Sequence, residues 1–128
     1  MADEQIALLI EARESISAAR FLLEGGYAKY AASRAYYSML YVAYALLGNE
    51  SMPLSEESKV VAAFGEVVHA GKVSIEFHQF LIEAHALRIA VDEKCASLIP
   101  EEAEEQIAHA EQFLELAERL IGPIPTEE

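Results

Sequence analysis

The sequence predicts an all-α fold, a bundle of five helices, from three observations. Apolar residues recur at i, i+3, i+4 and i+7 through long stretches of the chain, the period of a helix with one buried face. The four prolines and six glycines fall almost entirely between those stretches, where helices stop. The stretch 27–47, YAKYAASRAYYSMLYVAYALL, contains neither and is rich in alanine and leucine, the strongest helix formers.

The first helix runs from about Asp3 to Glu24, with Asp3 read as its N-cap and Glu4 favouring the first turn. Ile6, Leu9, Ile10, Ile16, Ala19, Leu22 and Leu23 form its buried side. Gly25-Gly26 ends it, and so short a connection makes helices one and two an antiparallel hairpin. Helix two, about Tyr27–Leu47, has two faces. Tyr36, Met39, Leu40, Ala43 and Leu47 make an apolar stripe, while Tyr30, Tyr37, Tyr41 and Tyr44 set phenols around Arg34. Its alanines let neighbours come close, so this helix is expected at the centre of the bundle.

Gly48-Asn49 ends helix two, and 49–54, NESMPL, reads as a loop. Ser55 is expected to cap helix three, about Glu56–His69, which buries Val60, Val61, Phe64, Val67 and Val68. Ala70-Gly71 stops it. Ser74 caps helix four, about Ile75–Ala96, with Phe77, Phe80, Leu81, Ala84, Leu87 and Val91 inward. Pro100 suits the first turn of helix five, about Pro100–Ile121, which turns Ala103, Ile107, Ala110, Phe113, Leu114, Ala117 and Leu120 inward. Gly122-Pro123 closes it. Residues 1–122 are therefore read as one helical domain and 123–128 as a short, frayed tail.

The length of 128 residues fits one domain with a real core. A net charge of −13, from 22 acids and nine bases, opposes nonspecific binding to phosphate backbones or anionic membranes, though it leaves room for a local basic pocket. The single cysteine, Cys95, excludes an intrachain disulfide and fits a reducing compartment. The opening MADEQIALLIEARES lacks the layout of a signal peptide. No apolar run approaches the ~18 residues of a membrane span. A cytoplasmic protein without membrane contact is the expectation. The acids of helix five, Glu101, Glu102, Glu104, Glu105, Glu111, Glu115 and Glu118, read as a solvated outer face.

Few constellations could carry chemistry. There is no glycine-rich phosphate loop, no zinc-spaced Cys or His cluster and no serine beside an obvious base. Glu66 and His69 have the Glu-x-x-His spacing of di-iron bundles, but in a single copy at a helix end, so neither metal nor other cofactor is expected. On helix four, His78, Leu81, His85, Arg88 and Asp92 share one stripe. Arg88 and Asp92 are i, i+4 and can pair. Two readings stand: an ion pair that positions the helix, or a cleft where Arg88 meets phosphate and His85 moves a proton. Arg88, His85 and Asp92 are thus the candidate catalytic residues. Arg34 poses the same choice. It either stacks on Tyr30 or Tyr37 and pairs with an acid, or joins Arg88 in a small positive pocket. Arg34, Tyr37 and Arg88 are the candidate nucleotide- or RNA-binding residues. The tyrosines could stack on bases, but at helical spacing they also suit a core or a dimer interface.

The run Ala32-Ser33-Arg34-Ala35-Tyr36-Tyr37-Ser38-Met39-Leu40-Tyr41, followed by Ala45-Leu46-Leu47, closely resembles the signature helix of HEPN domains. Ser58-Lys59, Ala63-Phe64-Gly65-Glu66, Gly71, the Arg88-x-x-x-Asp92 stretch and the last helix with Ala110 and Phe113 continue the resemblance. It implies a five-helix up-and-down bundle that forms a homodimer and associates with RNA or nucleotides. It also implies a minimal nucleotidyltransferase as partner, often in a toxin–antitoxin system. Active members of that family are metal-independent ribonucleases whose arginine is followed, after four to six residues, by a histidine. Here the window after Arg88 reads Glu93, Lys94, Cys95, and the window after Arg34 reads Met39, Leu40, Tyr41. Arg13, Arg20 and Arg119 fail as well, and Asp92 stands near Arg88 instead. The reading therefore favours a binding protein. The alternatives are a ribonuclease of non-standard motif and a purely structural helical scaffold.

Overall fold

The computed structural model describes residues 2–48 and 52–126. Five helices make up the fold: α1 (Asp3–Glu24), α2 (Ala28–Leu47), α3 (Glu57–His69), α4 (Ile75–Lys94) and α5 (Pro100–Ile121). Among the described residues there is no strand.

Helix α2 touches all four of the others. Small side chains make this possible: Ala28, Ala31, Ala32, Ala35, Ala43 and Ala45 are all buried, so neighbouring backbones come close from several sides. Ser38, fully buried, donates to the Ala12 carbonyl at 2.8 Å and ties α2 to α1. The two helices form the expected hairpin, with Gly26 in the left-handed region at φ 90°. The other end of the core is aromatic. Phe113 of α5 lies 5.7 Å from Phe64 of α3 and 5.2 Å from Phe77 of α4 between ring centroids, so three helices meet at one ring.

Several local expectations change. Ala2, not Asp3, is the N-cap of α1, because Gln5 Oε1 accepts the Ala2 N–H at 3.1 Å and caps the turn from within the helix. Helix α3 starts at Glu57 with Glu56 as its N-cap, one residue beyond Ser55. Ser74 does stand at the N-cap of α4, without a side-chain hydrogen bond. That helix stops at Lys94, because Cys95 turns left-handed at φ 55°. On α5, Leu116 takes an inward place and Leu120 is half exposed. The stretch after α5 is held rather than frayed. A proline-flanked segment leaves its carbonyls without helical donors, and Arg13 supplies them, donating to Ile124 O at 3.4 Å and Pro125 O at 2.8 Å. Ile124 packs against the core. Of the expected loop 49–54, residues 49–51 lie outside the described residues, as do 127–128 of the tail. Met52 is anchored, its carbonyl accepting from the Tyr44 hydroxyl at 2.7 Å.

Candidate functional site

The polar centre of the molecule forms where α2, α3 and α4 meet. Tyr36 lies on the buried stripe of α2 and is fully inaccessible, so its hydroxyl must find a partner inside the protein. It donates to Glu57 Oε1 at 2.7 Å. Glu57 is available because it continues the buried stripe of α3, one turn ahead of Val60 and Val61. The same carboxylate oxygen accepts from Arg88 Nη2 at 2.8 Å, while Nη1 of Arg88 donates to Glu93 Oε2 at 3.0 Å. The side chains of Arg88 and Glu57 are only 15% and 18% exposed, so this pair is shielded from water, unlike an ordinary surface ion pair.

Each group in the cluster perturbs the others. Burial pushes the Glu57 carboxyl up, but hydrogen bonds from Arg88 and Tyr36 outweigh it and hold the group below its ordinary value. Burial, then the bond to Glu57, raises the Tyr36 phenol far above its usual range. The bond to Glu57 raises Arg88, against the opposing effect of burial. At neutral pH the cluster is therefore a carboxylate, a protonated phenol and a guanidinium. One donor is left over: Arg88 Nε is buried without an acceptor.

The sequence-predicted residues divide into two sets. Arg34, Tyr37, His85 and Arg88 come together. The guanidinium carbons of Arg34 and Arg88 lie 5.3 and 5.8 Å from the centroid of the same Tyr37 ring, one cation from α2 and one from α4. Arg34 is fixed further by a 2.8 Å bond to Ser15, a buried residue of α1. His85, one turn before Arg88, stacks on Tyr36 at 5.6 Å and an interplanar angle of 26°. An open groove of about 400 Å³ runs past His85, Arg88, Glu57 and Lys59.

Asp92 is placed differently from the expected i, i+4 pair. It accepts from Ser33 Oγ of α2 at 3.0 Å, and Arg88 turns to Glu57 on one side and Glu93 on the other. Glu57 wins because it reaches the guanidinium from the buried side, where the pairing is screened least. Arg34 lies over Tyr37, whereas Tyr30 is half exposed and set against Tyr27. His78 leaves the stripe for α3, with Nε2 3.2 Å from the Val61 carbonyl. The acidic half of the site, Glu57 and Glu93, is what sequence reasoning missed. The available signal was the position of Glu57, in register with Val60, Val61 and Phe64. An acid on a buried stripe calls for a cation, and Arg88 is the arginine that borders the apolar face of helix four.

Among the described residues, no group of three or more His, Cys, Asp or Glu side chains could hold a metal ion. No helix among them is long and apolar enough to cross a membrane. The site's resources are two cations, a shared phenol ring and, on Arg88, a buried guanidinium donor without an acceptor.

A compact all-helical domain arranged around a tyrosine-rich central helix, with two arginines from different helices gathered at one of its tyrosines, is the class of protein these features define. The HEPN domain model matches residues 7–120, from within α1 to within α5, and the chain belongs to that family. It is 33% identical over 120 residues to the UPF0332 protein glr0978 of Gloeobacter violaceus, covering 91% of this chain and 95% of that protein. It is 31% identical over 123 residues to a protein of Methanocaldococcus jannaschii named "Putative toxin MJ0605", covering 94% and 92% of the two chains. A second protein of that organism, "Putative toxin MJ0142", is 28% identical over 103 residues, or 80% of this chain and 70% of its own. No solved structure matches.

Proposed function

We propose that this HEPN protein is one component of a toxin–antitoxin-type pair. It works as a homodimeric binding module for a minimal nucleotidyltransferase partner and for the phosphate of RNA or a nucleotide. The observation that carries the binding site is the convergence of Arg34 and Arg88 on one tyrosine, with Arg88 Nε still uncommitted. Guanidinium groups recognise phosphate by directed donors, and an aromatic ring between them offers a surface for a base. In a molecule of net charge −13, which repels nucleic acid elsewhere, these two guanidinium groups are the cations that would meet a phosphate. The two relatives named as toxins support the two-component reading, and the HEPN resemblance supplies the nucleotidyltransferase and the dimer.

Binding is favoured over cleavage because no histidine follows Arg88 or Arg34 at the family's spacing, and Arg88 is already held by two carboxylates. Cleavage by an altered motif is a second reading, motivated by His85 and Arg88 lining one groove.

Affinity purification of the tagged protein from its own cells, with mass spectrometry and RNA sequencing, tests the proposal. A nucleotidyltransferase should be retained, and Arg34→Ala should reduce retained RNA or nucleotide while leaving the protein folded. Recovery of neither sinks the proposal. Light scattering at micromolar concentration should give a dimer mass. A monomer there removes the dimer. Degradation of mixed RNA between pH 6 and 8 that His85→Ala abolishes would move the assignment to the second reading.

A further inference from the structure

The seam between α4 and α5 is built unlike the rest of the bundle. These two helices approach each other least of all the pairs in contact. A groove of about 490 Å³ opens between them, on the side of α4 away from Glu57. Its floor is small and apolar, formed by Ala86, Leu87 and Ala90. Its walls are Glu83 of α4 with Glu102 and Glu105 of α5, and no lysine or arginine lines it.

At the base sits Gln106, 2% exposed. Its Nε2 donates to Glu83 Oε1 at 3.0 Å, but its Oε1 is buried without a donor. One turn along α5, His109 stacks on Phe80 at 3.8 Å and 11°, and its Nδ1 is also buried without a partner. An orphaned acceptor inside a protein is costly and uncommon, and this one lines a groove walled by carboxylates.

These features select one kind of occupant. Three carboxylates repel nucleic acid. The metal alternative has no ready ligand set, since no group of three or more His, Cys, Asp or Glu side chains among the described residues could hold an ion. A floor of alanines accepts a helix at close range, as the alanines of α2 do inside the bundle. Carboxylates along both walls suit lysines or arginines flanking an apolar stripe, the layout of an amphipathic helix laid in a groove.

We infer that the α4–α5 groove docks a cationic amphipathic helix of a protein partner. Its apolar stripe seats on Ala86, Leu87 and Ala90, its lysines or arginines pair with Glu83, Glu102 and Glu105, and one of its donors reaches Gln106 Oε1. The inference rests on the proposed function for the existence of a protein partner. It assigns that partner a surface separate from Arg34 and Arg88.

The probe is a labelled helical peptide of leucine, alanine and lysine, about five turns long, with a counterpart in which every lysine is glutamate. The lysine peptide should bind, with chemical shifts confined to Ala86, Ala90 and the Gln106 side-chain amide. The glutamate peptide should not bind. Glu105→Lys, at an exposed position, should keep the melting temperature and weaken binding about tenfold or more. Gln106→Leu should also weaken it. Equal binding of both peptides, shifts spread over other helices, or unchanged affinity in Glu105→Lys overturns the inference. Affinity purification separates it from the reading beneath it. A nucleotidyltransferase retained equally by native and Glu105→Lys chains defeats the groove and leaves the proposed function standing. A groove that binds the lysine peptide in a protein that retains no partner defeats the proposed function instead.

Discussion

Helix α4 faces two polar neighbourhoods, and they are unbalanced in opposite senses. Toward α3, Arg88 meets Glu57, and the surplus is a donor, the unpaired Nε. Toward α5, Glu83 meets Gln106, and the surplus is an acceptor, the unpaired Oε1. The first cluster is tight and tied to a buried tyrosine. The second lies in a seam where the helices separate. Packing and chemistry change together: toward α3 the charged groups pair with one another beside an open groove, and toward α5 the carboxylates Glu83, Glu102 and Glu105 line a groove with no lysine or arginine. A guanidinium held between carboxylates on one side and a wall of carboxylates on the other give the two sides of one helix different chemistry.

The strongest way to break this contrast is to remove Glu57. Glu57→Ala leaves the Tyr36 hydroxyl and the Arg88 guanidinium without their shared acceptor, and should cost about 3 kcal/mol by urea unfolding at pH 7. Glu57→Gln keeps an acceptor for Tyr36 and should cost about 1–2 kcal/mol. Equal losses for both would show that the charge carries the stabilisation and that the retained acceptor adds nothing.

Close packing on the α3 side can be tested without touching a charge. A Cβ placed on Gly65 would clash with the His78 ring, so Gly65→Ala must displace a side chain that reaches the Val61 carbonyl. The expected cost is about 1–3 kcal/mol. Ala86→Leu, in the open seam, should change stability by less than about 0.5 kcal/mol. Similar losses in thermal melts of the two variants would erase the claimed difference between the sides.

Acid titration separates the charge of Glu57 from its shape. Its carboxyl is held below its ordinary value in the folded protein, so its contribution is complete above the unfolded value of about 4.3 and is lost as pH falls through the lower, folded value. The stability gap between wild type and Glu57→Gln should be constant above about pH 5 and close below it. A gap that persists undiminished at the acid end would assign the stabilisation to packing.

The α3 side also explains what could be read from the sequence. Periodicity located all five helices, because each carries enough apolar residues to show its buried face. The alanines of 27–47 located the centre. Pairing was harder to read, since i, i+4 logic sees one helix at a time. Asp92 was the local partner for Arg88, whereas the actual partner, Glu57, is 31 residues away and is brought close by the packing of α3 on α4. Tyr36 was rightly placed in the apolar stripe, but the stripe says nothing about where its hydroxyl goes. Arg13 was likewise given no structural place, and the segment after α5 brings the Ile124 and Pro125 carbonyls to it. The resemblance to HEPN domains survived these errors because it rested on the central helix, where local sequence and tertiary position agree.

One substitution in the open seam should have the unusual sign. Gln106→Leu removes an acceptor that is buried without a donor and replaces it with a side chain suited to the neighbouring Ala86, Leu87 and Ala90. The substitution also frees Glu83, which is exposed and can return to water. Relief of an orphaned acceptor is worth about 1 kcal/mol, so Gln106→Leu should be modestly more stable than wild type in urea. If a buried polar group is kept where an apolar one folds better, stability is not what it serves. A destabilised variant would mean that the Gln106–Glu83 bond holds α4 to α5, and the seam would then be a weak joint rather than a binding surface.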